Sequence, residues 1–260
     1  MPFPRETHFL GVMSNNSFSF IVACYNTGKY LEECLISLIA QVYSKEAFEI
    51  VVVNDGSTDN SPEILAQYQQ STLNLKVVHQ ENQGLEAACN SGITNASSKW
   101  MVRMDADDIA DPNLLNALNQ AMQSQPRADF FYCGTYYEFF SQAKKTLKTV
   151  PRFDKEEIFC RGDFFASGTA YQKDQLKEIG LYPTNEKNCG LENYNVTLKL
   201  LTKGYTGVPV SDAIFHYRRH ESNMSKVKLG SIIEYGKKLL EQYNREFQTN
   251  EFHPYSLILD

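Results

Sequence analysis

The stretch Trp100-Met101-Val102-Arg103-Met104-Asp105-Ala106-Asp107-Asp108 joins an apolar, strand-like run to a cluster of aspartates. In extended backbone, side chains two positions apart point to the same side of a strand. We therefore expect Asp105 and Asp107 to direct two carboxylates to one point beyond a strand end, where open α/β sheets bind ligands. Such oxygen donors suit Mg²⁺ or Mn²⁺ bound to a phosphate. The alternative is a solvated acidic turn between a strand and a helix.

Strand and helix patterns alternate on both sides of this stretch. Short apolar runs predict strands, and apolar residues at helical spacing predict helices between them. The predicted strands are residues 18–24, 49–53, 75–79 and 100–105, and the predicted helices are residues 30–41, a helix from residue 61, residues 84–94 and residues 111–122. Repeated β-α units build a mostly parallel sheet with helices on both faces. The sequence therefore predicts an α/β protein.

The second half of the chain is less regular. Residues 129–140 are rich in aromatic side chains and predict one or two strands, and residues 213–218 predict another. A helix is predicted at 191–202, ended by Gly204, and an amphipathic helix at 230–247. We expect the amphipathic helix to pack on the domain. Contact with a membrane surface and formation of a homodimer are the alternatives.

Composition and charge exclude several kinds of protein. The net charge of -6 argues against nucleic acid as a partner, because a phosphate backbone requires a basic face. The six cysteines form no C-x-x-C pair, so we expect no zinc or thioredoxin-type site and a reducing compartment. Residues 1–16 do not resemble a signal peptide, and no apolar run has the length of a membrane span. We expect a cytoplasmic protein, free or at the inner face of the membrane.

Three predicted loops should meet at one edge of the sheet, because right-handed crossovers bring the ends of parallel strands together. These loops are residues 24–26, 54–59 and 105–108. A pyrimidine nucleotide would fit there, with Tyr25 stacked on the base and Asp55 accepting a base N–H. Asp105 would reach the ribose or a metal ion, and Asp107 would hold the metal against a diphosphate. For residues 54–57, a tight turn without a binding role is the alternative.

Four sequence runs, in this order, resemble glycosyltransferase family 2, whose members have the GT-A fold. They are residues 20–26 (FIVACYN), 49–59 (EIVVVNDGSTD), 81–88 (ENQGLEAA) and the Asp-x-Asp run with Asp108 after it. Residues 190–194 and 217–225 match more loosely. The resemblance implies a GT-A-like nucleotide-sugar-binding fold with a C-terminal helical appendage. It also implies a hexosyl- or N-acetylhexosaminyl-transferase that uses Mn²⁺ or Mg²⁺. This enzyme would move sugar from a UDP-sugar to a hydroxyl of a glycan or lipid-linked saccharide, with inversion.

The same resemblance implies roles for individual residues and regions. The residues implied for the nucleotide are Ala23, Tyr25, Asp55, Asp105 and Arg219, and those implied for the metal are Asp107 and His220. His216 is a second candidate beside the metal. The implied organisation is an N-terminal tail (1–17), a donor-binding half (18–125), an acceptor-binding and catalytic half (126–228), and a C-terminal helix and tail (229–260).

Two positions depart from the family pattern. Where the family has an arginine before Asn90, this chain has Cys89, so a charge facing the diphosphate is missing. Where the family has Glu-Asp, with the Asp as general base, this chain has Glu192-Asn193, and an asparagine cannot accept a proton at neutral pH. We therefore assign proton transfer to Glu192 and positioning of the acceptor to Asn193. We expect the helix dipole to keep the pKa of Glu192 low.

Two other functions fit parts of the sequence. A non-catalytic or weakly active nucleotide-sugar-binding protein would keep the donor site and lack the base, and Asn193 is consistent with that. Sugar-phosphate nucleotidyltransfer on a related fold requires a glycine-rich, arginine-containing loop after the first strand. Residues 25–29 contain one glycine and no arginine. Turnover of a panel of nucleotide sugars distinguishes an enzyme from a binding protein.

Overall fold

The computed structural model of the protein describes residues 16–141, 144–161 and 167–246. Within these ranges the strands are β1 (Phe18–Cys24), β2 (Phe48–Asn54), β3 (Leu75–His79), β4 (Trp100–Asp105), β5 (Ile109–Ala110), β6 (Phe130–Ser141), β7 (Lys144–Thr149), β8 (Ala170–Gln172) and β9 (Gly207–Arg218). The α-helices are α1 (Gly28–Ile39), α2 (Ser61–Ser71), α3 (Leu85–Asn95), α4 (Leu114–Ser124), α5 (Lys155–Arg161), α6 (Lys173–Glu178), α7 (Glu192–Thr202), α8 (Met224–Val227) and α9 (Leu229–Glu241). The expectation about a signal peptide falls almost entirely on residues 1–15, and the predicted end of the last helix falls on Phe247. Both lie outside the described residues.

One sheet extends through both halves of the chain. Its order is β3-β2-β1-β4-β8-β6-β9-β5, with β7 beside β6. The first four strands in this order are parallel, and helices α1, α2 and α3 lie in their connections. Beyond β4 the sheet is mixed, since β8 is antiparallel to both β4 and β6, while β6 and β9 are parallel. The predicted α/β fold is confirmed. Its parallel half consists of the four strands that the repeated β-α pattern predicted.

Each face of the parallel half is covered by its own hydrophobic core. Along β1, Phe20 and Val22 pack into one core, formed with α1, α2 and α4, while Ile21 packs into the other. This second core includes side chains of α3, α7 and α9. The alternation follows from the period of two in a strand, and burial on both faces explains why β1 and β2 are mostly apolar along their length. Each fully buried Phe or Ile side chain contributes roughly 1.5–3 kcal/mol to folding.

Helix α9 packs on the domain, as the amphipathic pattern predicts. Its apolar stripe places Ile232, Leu239 and Leu240 in the second core, all essentially without solvent exposure. In the described ranges of the chain, no helix combines the length and the apolar character needed to span a bilayer.

Candidate functional site

A cavity of about 550 Å³ opens where strands β1, β2 and β4 end. We call it the strand-end cavity, and its volume is in the range of small-molecule binding sites. Its lining residues include Ala23, Tyr25, Asp55, Asp105 and Asp107 from the first half of the chain, and Glu192, His220 and Lys228 from the second. The residues predicted to converge on this edge of the sheet therefore do so, and the second half of the chain closes the cavity.

The loop after β1 presents an aromatic ring to the cavity. Tyr25 is 48% exposed, so one face of its ring is open to a stacked ligand. Asn26 follows with φ of 53°, a left-handed conformation that asparagine tolerates better than most residues. Its side-chain oxygen accepts hydrogen bonds from the backbone N–H of Thr58 at 2.8 Å and of Asp59 at 3.3 Å. The loops after β1 and β2 are thus fixed to each other.

Asp55 has a structural task in addition to its place in the cavity wall. Its buried carboxylate accepts hydrogen bonds from the backbone N–H of Gln83 and Gly84, both at 2.8 Å, and from the side chain of Gln80 at 2.7 Å. Gly84 has φ of 98°, which suits glycine, and it precedes α3. Asp55 therefore secures the start of α3, and a bound base would share an acceptor that is already in use.

The aspartates after β4 converge by a different route from the one expected. Strand β4 ends at Asp105, and a turn follows in which the N–H of Asp108 donates to the carbonyl of Asp105 at 3.2 Å. The expectation that Asp105 and Asp107 share one side of an extended strand is therefore wrong. Both side chains still line the cavity, because the turn folds Asp107 back over the strand end.

Asp108 anchors this turn from beneath. Its fully buried carboxylate accepts a hydrogen bond from the Ser167 hydroxyl at 2.6 Å and from the backbone N–H of Arg218 at 3.0 Å. Burial, with Asp107 and Asp105 nearby, raises the pKa of Asp108 well above its usual range. The third aspartate thus ties the turn to the end of β9 instead of facing the cavity.

Asp107 and His220 form a pair of donors suited to a divalent cation. His220 Nε2 lies 2.9 Å from Asp107 Oδ2, and both residues line the cavity. The imidazole stacks on Tyr30, with ring centroids 4.5 Å apart, and its Nδ1 lies 2.9 Å from the hydroxyl of Ser222. A carboxylate beside an oriented imidazole, whose second nitrogen is already engaged, is an arrangement found at metal sites. The carboxylate of Asp107 suits Mn²⁺ or Mg²⁺, and His220 offers an imidazole nitrogen beside it, a ligand that suits a transition metal better than Mg²⁺.

A second group of residues that could bind a metal includes Glu192 of the cavity wall and two residues behind it, and this group fits an ion poorly. Glu86, Cys189 and Glu192 are all buried, with ligand atoms within 4.8 Å of one another. Both oxygens of Glu86 are occupied, since they accept the backbone N–H groups of Asn188 and Cys189 at 2.8 Å. Burial raises the pKa of the Cys189 thiol, which disfavours the thiolate that binds metals.

Two of the predicted residues lie away from the cavity. Arg219 pairs with Glu138 on β6, and its guanidinium lies 4.8 Å from the ring centroid of Tyr217. His216 stacks on Tyr137. Within the described part of the chain, neither belongs to the cavity lining. The prediction that Arg219 contacts the diphosphate therefore has no support in this geometry, because Arg219 points toward β6 instead.

The neighbouring arginine, Arg218, lies closer to the aspartate turn. Its Nε donates to the backbone carbonyl of Asp107 at 2.9 Å, and Nη2 lies 2.9 Å from a carboxylate oxygen of Glu33. Its guanidinium also lies 4.9 Å from the ring centroid of Tyr30, the residue on which His220 stacks. Arg218 thus braces the proposed metal ligands from outside. In the sequence, the only indication of this role of Arg218 is its place in the Arg218-Arg219 pair.

Glu192 is the first residue of α7 and lies in the cavity wall. It is 4% exposed, and its Oε1 is 3.1 Å from Nη2 of Arg103. Burial raises the pKa of Glu192 to about 7, with Arg103 opposing this and the carboxylates of Glu86 and Asp105 adding to it. The expectation of a low pKa is therefore wrong, since desolvation of the carboxylate outweighs the favourable effect of the helix dipole.

Asn193 faces away from the strand-end cavity. Its Oδ1 accepts a hydrogen bond from the Tyr182 hydroxyl at 3.2 Å, and its Nδ2 donates to Glu192 Oε1 at 3.3 Å. It is buried and, among the residues described, does not belong to the cavity lining. The predicted positioning of an acceptor by Asn193 has no support here, because the amide contacts Glu192 instead.

Arg103 is the residue of this site that the motif analysis did not assign. It is 4% exposed in the middle of β4 and lines the cavity. Its Nη1 lies 2.5 Å from Asp105 Oδ2, opposite the contact with Glu192. The available signal was an arginine inside an apolar strand, since a buried charge requires partners.

Comparison with known proteins identifies the family and the fold of the chain. The poly-beta-1,6-N-acetyl-D-glucosamine synthase of Staphylococcus aureus (strain COL) is 38% identical over 195 residues, which cover 72% of this chain and 46% of the synthase. The crystal structure of S. aureus TarS 1-349 in complex with UDP-GlcNAc aligns with a TM-score of 0.70 and 23% identity, covering 88% of this chain and 67% of that one.

A second solved structure is that of the mannosyltransferase PcManGT from Pyrobaculum calidifontis in complex with GDP-Man and Mn²⁺. It aligns with a TM-score of 0.68 and 18% identity, covering 94% of this chain and 69% of that one. These two structural similarities show that the chain has the GT-A fold, as the sequence predicts. The family model for glycosyl transferase family 2 matches residues 19–176. Because this match extends over more than half of the chain, the protein belongs to glycosyl transferase family 2 and is a glycosyltransferase.

Proposed function

We propose that the protein is a metal-dependent, inverting transferase. It moves a hexosyl or N-acetylhexosaminyl group from a UDP-sugar to a hydroxyl of a glycan or lipid-linked saccharide. The observation that carries the proposal is the presence of two kinds of group in the wall of one cavity. Asp107 and His220 lie 2.9 Å apart on one part of the wall, and the buried carboxylate of Glu192 lies on another. A diphosphate leaving group and an acceptor require this pair of environments.

In the proposed site Asp107 and His220 hold Mn²⁺ or Mg²⁺, with Arg218 bracing Asp107 through its carbonyl. When bound, such an ion neutralises the charge that develops on the leaving diphosphate. Tyr25 stacks on the base, at the open end of the cavity. These residues bind and orient the donor.

Glu192 acts on the acceptor side as general base. As the acceptor oxygen forms its bond to the anomeric carbon, Glu192 takes the hydroxyl proton, and the electron pair of the breaking carbon–oxygen bond leaves with the diphosphate. A base with a pKa near 7 is close to the optimum for proton transfer at neutral pH, being partly ionised and still basic. Attack from the face opposite the leaving group inverts the anomeric carbon.

The substrates of two similar proteins support the choice of donor. TarS is solved with UDP-GlcNAc, and the synthase makes a polymer of N-acetylglucosamine. We therefore propose UDP-N-acetylglucosamine as the first donor to test. A lipid-linked acceptor would place the protein at the cytoplasmic face of the membrane.

The test combines binding and product analysis. Calorimetry measures the affinity for UDP, GDP and ADP, each with Mn²⁺ and with a chelator. Mass spectrometry and NMR then identify products from UDP-N-acetylglucosamine and other UDP-sugars with a panel of saccharide acceptors. A product of inverted configuration supports the proposal. Retained configuration, or the absence of transfer to every acceptor despite metal-dependent UDP binding, contradicts it and favours the binding-protein alternative.

A further inference from the structure

Arg103 is a buried cation placed between Asp105 and Glu192, two carboxylates of the cavity wall. Nη1 contacts Asp105, whose side chain is 31% exposed in the cavity, and Nη2 contacts Glu192, whose side chain is 5% exposed. One guanidinium therefore joins the carboxyl end of β4 to the start of α7, across 89 residues of sequence. Arginine suits this position because its planar fork can engage two carboxylates at once.

The strand pattern explains why the arginine points there. In β4, Trp100, Val102 and Met104 pack into the first core, so Arg103 belongs to the opposite face together with Met101. Leu191, just before α7, and Tyr194 of α7 belong to the same second core as Met101, and Glu192 at the start of α7 meets the guanidinium. The neighbouring position on α3, where the family has arginine, is Cys89, a buried thiol within electrostatic reach of Arg103. A positive charge absent from α3 is therefore present on β4.

We propose that Arg103 is a positioning residue that favours the ionised form of Glu192 and directs its carboxylate at the strand-end cavity. This inference rests on the proposed role of Glu192 as the base. Without a nearby cation, a carboxylate buried to this degree takes up a proton and ceases to be a base. The contact with Asp105 fixes the Arg103 guanidinium on the side of the proposed donor site. The same guanidinium therefore holds Glu192 and borders the donor site.

The surroundings of Glu192 leave this task to Arg103. The ionisable groups that act on Glu192 include the carboxylates of Glu86 and Asp105, which disfavour its charged form. Tyr182, Cys89 and Cys189 also lie near it, and burial raises the pKa of all three, so they are neutral at pH 7. In the part of the chain that the structure describes, Arg103 is the cation in contact with Glu192.

The direct test is titration of Glu192 by NMR in the whole protein labelled with ¹³C at glutamate carboxyl groups, with the signal assigned by Glu192→Gln. We expect Arg103→Met to raise the pKa of Glu192 by about 1–3 units, the usual effect of losing one adjacent opposite charge. Arg103→Lys keeps a charge but not the planar fork, so it should give a smaller shift. Arg245→Met, which removes an arginine paired with Glu156 near the end of the described chain, is the matched control and should change nothing.

Arg103→Gln is a second neutral variant, which can still donate hydrogen bonds to both carboxylates. An unshifted Glu192 titration in either folded neutral variant overturns the proposal. Unfolding of both neutral variants while Arg103→Lys folds also overturns it, because a positive charge at position 103 would then be required for folding itself. Failure of the underlying function gives a different result, in which Glu192→Gln leaves turnover of UDP-N-acetylglucosamine unchanged. If Glu192→Gln abolishes turnover and the Arg103 variants titrate like the wild type, only the inference about Arg103 falls.

Discussion

His220 Nε2 lies 2.9 Å from Asp107 Oδ2, although the two residues are 113 positions apart in the sequence. The contact joins the turn after β4 to the loop after β9, and it closes the strand-end cavity on the side where a diphosphate would lie. It is maintained by stacking of His220 on Tyr30 and by the Arg218 contact to the Asp107 carbonyl. The proposed metal ligands are thus held in place by neighbouring groups before any ligand arrives.

The first prediction is that UDP binds more tightly with Mn²⁺ or Mg²⁺ than with a chelator, and that Asp107→Asn removes this difference. The substitution keeps the size of the side chain and removes the charge that attracts the cation. Calorimetry with UDP, in both conditions, measures the effect. Asp212→Asn, at an exposed position of β9, is the matched control and should behave like the wild type. Equal UDP affinity with and without metal in the wild type would rule out the metal site.

A second prediction concerns the nucleotide base. We expect UDP to bind better than GDP or ADP, and Tyr25→Ala to weaken UDP binding by about 1–3 kcal/mol, the usual worth of one stacked ring. Because Tyr25 is 48% exposed, its removal should leave the free energy of unfolding nearly unchanged. Asp55 is a less informative target, since its carboxylate also holds the start of α3. Tyr205→Ala, at a residue paired with Glu178, controls for the loss of a ring.

Competition binding with the three nucleoside diphosphates measures the base preference. A preference for GDP would mean that the base lies elsewhere than against Tyr25. PcManGT, which is solved with GDP-Man, shows that this fold also accommodates a purine nucleotide.

The third prediction links stability to pH. The pKa of Glu192 is about 7 in the folded protein against 4.5 for an ordinary glutamate, so the folded state holds a proton that the unfolded state has lost. The stabilisation from this proton is complete below pH 4.5 and disappears as the pH rises through 7. Glu192→Gln, which cannot ionise, should therefore gain stability relative to the wild type by roughly 3 kcal/mol between pH 4 and pH 8. Urea unfolding at both pH values measures this, and parallel pH dependence in the two proteins would contradict it.

The parallel half of the sheet could be predicted because its signals are strong and local. Strands β1, β3 and β4 have the predicted bounds, and β2 extends one residue beyond the predicted bounds at each end. Helix α4 begins at Leu114 instead of residue 111, because Asp111 accepts the Asn113 N–H at 2.9 Å in a turn before the helix. Strand β9 begins at Gly207, before the predicted residue 213, and contains Pro209, which counts against a strand in a sequence pattern.

The sequences of strands β5, β7 and β8 carry too little pattern for these strands to be predicted. Two of them have two and three residues, and β7 is exposed at every position, so it has no apolar alternation. In the site, the motifs identified which loops converge but not the ion pairs between halves. The Arg103–Glu192 contact depends on where the fold places the start of α7 relative to β4, and the high pKa of Glu192 depends on its burial. Neither can be read from local sequence.

The last prediction distinguishes Glu192 from Asn193 as the residue that decides turnover. If Glu192 is the base, Glu192→Gln should lower kcat by about 10²–10⁴-fold, the usual contribution of general-base catalysis. Asn193→Asp should not raise kcat, because the side chain at 193 contacts the Tyr182 hydroxyl and Glu192 and does not line the cavity, and a second buried carboxylate beside Glu192 favours its protonated form. Both variants are nearly isosteric with the wild type, so UDP affinity should stay constant and serves as the control for an intact donor site. The measurement is the rate of transfer from UDP-N-acetylglucosamine, with the configuration of the product read in parallel. A rise in turnover by orders of magnitude in Asn193→Asp would show instead that position 193 carries the base in an active enzyme of this kind. The natural chain would then be a weakened transferase or a binding protein, and the assignment of Glu192 would fall.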